Sequence, residues 1–219
     1  MLNLLTTSIL AASLAWGLQN PIDDDARWVN LTQPLRRAGI PLDDQASLIN
    51  ALHRLDRPSL AASAAHALAR LPKSHRVIEE LNRAAFSDDD FLMSAAIDTL
   101  AGFGDRQWVE AARARLPHMR QKVLRLDVAG RLAQEGVYDG WEIVEFSIME
   151  EEPVYRDIAL ARVYYFRDRK DAFGLPMDLV QKLEEMKSRA SSEAVRDALA
   201  AKITQCKQLR NAEAAPKKQ

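Results

Sequence analysis

Side chains able to ligate a metal, attack a carbonyl or move a proton are all present in this chain, so their spacing decides what chemistry is open to it. Four histidines (His53, His66, His75 and His118) and one cysteine (Cys206) are the nitrogen and sulfur donors. A metal site on one helix needs two such donors three or four residues apart. No pair here meets that spacing, and a His66–His75 pair would have to reach across a turn. No metal and no cofactor are therefore expected. Nucleophilic catalysis requires an activated hydroxyl or thiol beside a base. The Gly-x-Ser-x-Gly elbow is missing, and Cys206 falls on the apolar periodicity of the last helical segment, where a buried, inert thiol is the ordinary outcome. Gly102-Phe103-Gly104 lacks the third glycine of a phosphate loop and reads as a helix terminus.

Carboxylates are more plentiful. Asp23–Asp25, Asp88–Asp90 and Glu150–Glu152 form acidic triplets, and the last two directly precede helical segments. A hydrolase would need one member protonated in a dry cleft. At a helix N-terminus the same residues have a simpler use, capping free amides and opposing the helix dipole. Capping is expected, no residue is assigned as catalytic, and the chain is expected not to be an enzyme.

The elements that must position these residues are helices. The chain has 219 residues, 47% apolar and 28% charged, a composition that excludes disorder and low complexity for its body. Apolar residues recur every three or four positions, and alternating β-type runs are missing. The pattern predicts a helix over 25–38, then pairs at 44–55/58–71, 75–86/89–102, 106–116/118–134, 138–149/153–167 and 177–189/192–209. Pro58, Pro117 and Pro153 stand near helix starts, where a missing amide hydrogen costs nothing. Gly104, Gly136 and Gly174 stand near ends, where a left-handed residue is needed.

The second helices fall on one template. Its first position is Leu60, Leu92, Leu124, Tyr155 and Val195, at intervals of 32, 32, 31 and 40 residues. Position 5 is Ala64, Ala96, Val128, Ala159 and Leu199; position 6 is Ala65, Ile97, Ala129, Leu160 and Ala200; position 9 is Leu68, Leu100, Leu132, Val163 and Ile203. Positions 1, 5 and 9 share a helix face. A hairpin with such a face cannot bury it alone and must stack on the next copy.

The segments "DDDFLMSAAIDTLAGFGD" (88–105), "LAASAAHALARLPK" (60–73) and "VYRDIALARVYYFRD" (154–168) resemble HEAT-like repeats, with an acidic turn, an Ala-rich middle and a Leu-Gly finish. The resemblance spans about residues 43–207. It implies an all-α fold: a short right-handed α-solenoid of about five helix-hairpin repeats, preceded by an N-terminal helix. The last copy departs from the pattern through an insertion around Asp168–Pro176. HEAT-like arrays include bilin lyases and alkyl-base DNA glycosylases, so the resemblance leaves an enzymatic alternative open.

Binding residues follow from the template. Positions 3, 7 and 11 form an outward strip, the expected floor of a groove, containing His66, Arg70, Asp98, Gln134 and Tyr165. Position 8 turns basic in the last three copies as Arg131, Arg162 and Lys202, and position 2 does so as Arg125, Arg156 and Arg196. These cations either form an anion-binding ladder or tie their helices to acidic turns such as Glu150–Glu152. The strip is mixed and carries few charges, which suits a protein or peptide partner. The net charge of −1 argues against nucleic acid. Trp108 and Trp141 open first helices and are expected to fill the gaps between hairpins.

Residues 1–22 carry no charged side chain and hold an apolar stretch from Leu4 to Ala15. They read as a secretory signal peptide, with a capping helix or a membrane anchor as alternatives. A periplasmic or secreted location and an envelope-associated structural role go with the first reading, and a cytoplasmic location with the second. Residues 23–209 are expected to form the helical domain and 210–219 a flexible tail.

Overall fold

Short apolar-periodic segments separated by proline, glycine and aspartate fold as helices throughout. A computed structural model describes residues 24–150, 152–168 and 177–214. Among these residues there are eleven α-helices and no strand, so the fold is all-α. They are α1 (Asp24–Arg37), α2 (Gln45–Leu52), α3 (Pro58–Leu68), α4 (His75–Ala85), α5 (Asp90–Gly102), α6 (Trp108–Arg115), α7 (Lys122–Gln134), α8 (Trp141–Met149), α9 (Pro153–Arg162), α10 (Leu179–Arg189) and α11 (Glu193–Ala214). Two 3-10 turns occur: Leu116–His118 lies at the predicted break between 106–116 and 118–134, whereas Val163–Phe166 falls where the periodicity predicts continuous α-helix over 153–167. The last helix runs to Ala214, beyond the predicted end at residue 209. The N-terminal segment 1–22, Gly174, most of the Asp168–Pro176 insertion and residues 215–219 lie outside the described residues.

The chain divides into two compact units at Val128/Ala129, inside α7. In the N-terminal unit α2 pairs with α3, and α4 with α5. α3 packs on both α5 and α1, α2 packs on α4, and α4 on α6. Hydrogen bonds run between the same elements. The Gln45 side-chain amide donates to the Pro72 carbonyl, and Ser74 Oγ donates to Gln45 Oε1. Lys73 Nζ donates to the Phe103 carbonyl, and the buried Thr99 hydroxyl donates to the Ala65 carbonyl at 2.9 Å. These four bonds span 27 to 34 residues, close to one template interval.

Within the C-terminal unit α8 pairs with α9 and α10 with α11. Trp141, the first residue of α8, is buried and meets the Phe166 ring edge-on at 5.5 Å. Its indole N–H donates to Glu145 Oε2 at 2.7 Å, and Arg189 of α10 donates to Glu145 Oε1 at 2.7 Å. One carboxylate thus fixes α8 to α10.

Glycine ends two of the helices as expected. Gly104 and Gly136 take φ of 69° and 80°, and each lies in a pair of closing bonds. Asp105 N–H reaches Leu100 O while Gly104 N–H reaches Ala101 O; Val137 and Gly136 repeat this with Leu132 and Ala133.

Burial follows the template closely. Positions 5 and 9 are buried in all five copies, from Ala64 and Leu68 to Leu199 and Ile203. The exceptions are Tyr155 at position 1 and Ala200 at position 6, which stay partly exposed. Burying a leucine, valine or isoleucine side chain, as position 9 does in every copy, stabilises by roughly 1.5–3 kcal/mol.

Candidate interaction surface

The residues of the expected strip divide into those that face solvent and those that do not. Arg70 and Gln134 are exposed, while His66, Asp98 and Tyr165 are half-buried. Ser94 and Leu126, which the template places on the groove floor, are buried instead. Gly130 is buried as well, for a visible reason: the Arg162 side chain lies across it. A Cβ added at Gly130 would stand 2.7 Å from Arg162 Cδ and 3.1 Å from its Cγ. The absent side chain gives the arginine stem its bed.

Arg70 is held rather than free. Its guanidinium stacks over the Trp28 ring of α1 at 4.1 Å, a cation–π contact. The template assigns Trp28 no role, although it stands 32 residues before Leu60, one repeat interval upstream. Thr32, four residues further on, is fully buried and donates its hydroxyl to the Trp28 carbonyl. The 32-residue spacing from Trp28 to Leu60 was the signal that could have drawn attention to the Trp28–Arg70 contact.

The basic ladders do not behave uniformly. Arg196 donates through Nη1 to the carbonyls of Ala190 and Ser191, closing the turn before α11 by hydrogen bonds to backbone and not by an acidic partner. Arg156 is buried, and its Nε has no acceptor among the described residues. Lys202 is half-buried and donates to Gln205 Oε1 at 2.9 Å. Burial pulls its pKa down, against the opposing influence of the Cys206 thiolate. Burial likewise pushes the Cys206 thiol up, against Lys202, which fits the expected inert cysteine.

The acidic triplets resolve residue by residue. Asp89 is the N-cap of α5 and accepts from Leu92 N–H at 2.8 Å. Asp88 pairs with Arg115 at 2.7 Å. Asp90 is buried, and its Oδ2 accepts the N–H groups of Arg120 and Gln121, both at 2.7 Å. All three carboxylates of this triplet are engaged in holding backbone or arginine. Glu152 departs from expectation: it occupies the N-cap of α9 but makes no side-chain capping bond. Glu151 and the side chains of Asp23–Asp25 lie outside the described residues.

Compared with known proteins, the chain matches no family model and no curated protein. Geometry alone therefore carries the reading. Among the described residues no three histidine, cysteine or carboxylate side chains gather as a metal would require. No helix among them is long and apolar enough to cross a membrane. What the described surface offers is a set of half-exposed side chains on second helices, held in place by packing from below.

Proposed function

We propose that the protein is a non-enzymatic interaction scaffold: a short right-handed α-solenoid of about five HEAT-like hairpins whose second helices line a groove for a protein or peptide partner. The observation that supports this most is the ladder of hydrogen bonds between residues about one repeat apart in the N-terminal unit, from Gln45–Pro72 to Thr99–Ala65. Bonds at that separation are what stacked copies of one hairpin require. The five-fold burial at template positions 5 and 9 extends the pattern through the chain. Stacking presents equal positions side by side, so His66 and Asp98 stand together on the strip of the N-terminal unit, and Gln134 and Tyr165, flanked by Arg131, Arg162 and Lys202, on that of the C-terminal unit.

The test is capture of a stoichiometric protein partner from native extract by the immobilised chain. Binding should be lost when Asp98→Lys and Tyr165→Ala are combined, with the melting curve kept. Capture that survives every change on the strip would remove the groove from the account.

A further inference from the structure

We infer that the turn between α6 and α7 is a second docking surface, built to take a short acidic segment of a partner protein. No acidic residue occurs between Glu110 and Asp127, an interval that holds Arg113, Arg115, Arg120, Lys122 and Arg125 together with His118. Residues 1–128 carry fifteen basic and fifteen acidic side chains, so a third of the unit's positive charge sits in this one turn and the remainder of the unit is net acidic.

The turn is rigid. Leu116 and Met119 are buried beneath it, and the Asp90 carboxylate holds the Arg120 and Gln121 amides at 2.7 Å from the neighbouring hairpin. His118, Arg120 and Lys122 are exposed on the outside of this fixed loop. Internal acids take up part of the charge: Asp88 takes Arg115 at 2.7 Å, and Glu110 lies 3.6 Å from Arg113. The exposed His118 and Arg120 have no ion-pair partner among the described residues, while Arg125 is half-buried, its Nε shielded from water, and adds positive charge from beneath. A braced turn that presents the unpaired Arg120 guanidinium beside His118 and Lys122 is preorganised for carboxylates, whose two oxygens match the arginine fork.

Phe86 specifies the ligand further. It is 59% exposed and stands two residues from Asp88, in the turn bonded to this one through Asp88–Arg115 and Asp90–Arg120. An apolar side chain beside the acids would cover it. The positive region is short and the rest of the unit is net acidic, so a long polyanion would be repelled beyond the turn, whereas a short acidic segment would not. This surface uses no residue of the second-helix strip, so it stands or falls apart from the groove.

The experiment is fluorescence anisotropy with a labelled peptide of four glutamates flanking one leucine, and its glutamine counterpart as control. The glutamate peptide should bind at low salt and weaken about tenfold or more on raising sodium chloride to 0.3 M or on combining Arg120→Glu with Lys122→Glu. Phe86→Ser should weaken it less, and Tyr165→Ala not at all. Equal affinity for the glutamine peptide, indifference to the charge reversal, or tighter binding of single-stranded RNA or phosphatidylserine vesicles than of the peptide would overturn the inference.

Discussion

The Asp90 carboxylate accepts the backbone N–H of Arg120, thirty residues along the chain, at 2.7 Å. The same oxygen takes the Gln121 N–H, so one buried charge on α5 fixes the turn that leads into α7. Charge-assisted bonds of this kind contribute about 1.5–3 kcal/mol, and a buried amide left without an acceptor costs a similar amount. Asp90→Ala is expected to lower unfolding stability by about 3 kcal/mol in urea titrations, and Asp90→Asn by about half as much. An unchanged midpoint for Asp90→Ala would show that the turn is held by other means.

Gly130 and Arg162 make a second pair whose coupling can be measured. Gly130→Ala places a methyl group 2.7 Å from Arg162 Cδ, so the arginine stem must move. The gain in helix propensity, about 1 kcal/mol, is expected to be outweighed by the clash. Combining it with Arg162→Ala relieves the crowding, so the double variant should be more stable than the sum of the single changes predicts. Strict additivity in thermal unfolding would contradict the close approach.

Glu145 predicts an acid-sensitive link in the C-terminal unit. Burial raises its pKa, but the Arg189 hydrogen bond, the Lys182 charge and the Trp141 N–H together outweigh burial and hold it below the ordinary value of 4.5. A carboxylate with a depressed folded pKa contributes stability that is present above its unfolded pKa and lost as pH falls through the folded one. The stability difference between the parent and Glu145→Gln should therefore be full at pH 6 and shrink below about pH 4.5, read by denaturant titration across pH. A difference that stayed constant to pH 3 would show that the carboxylate charge plays no part.

Cys206 should be silent towards thiol reagents. It is 2% exposed, and burial pushes its thiol above the ordinary cysteine range, so little thiolate is present at pH 8. Labelling in native buffer is expected to run at least about a hundredfold slower than in denaturant, because it must wait for opening. Rapid labelling of the native protein would place the thiol at the surface.

Helix existence and core position were legible in the sequence because both rest on local periodicity. Leu68, Leu100, Leu132, Val163 and Ile203 repeat at a fixed template position and are all buried. Helix ends were less legible. The α3 and α9 segments stop earlier than the periodicity predicts, at Leu68 and Arg162, because the last turn tightens into other geometry that keeps the same apolar spacing. The surface was least legible. Leu126 falls on an outward template position yet is buried, since what covers a helix face depends on neighbours that spacing does not encode. Arg70 likewise has its exposure set by Trp28, and Arg196 is satisfied by carbonyls of the preceding turn where an acidic partner was expected. The role of Asp90 was half legible: its type and place announced a capping residue, but the amides it serves belong to the next hairpin.

The central claim is that equal positions of successive hairpins touch. Methyl-labelled protein offers the most direct measurement, through nuclear Overhauser contacts between Leu68 and Leu100 in the N-terminal unit and between Leu132 and Val163 in the C-terminal one. Stacked hairpins predict a cross-peak for both pairs, because packed helices stand about 8–10 Å apart and their facing side chains meet between them. Cross-peaks confined to residues within single hairpins, with neither pair connected, would contradict the account.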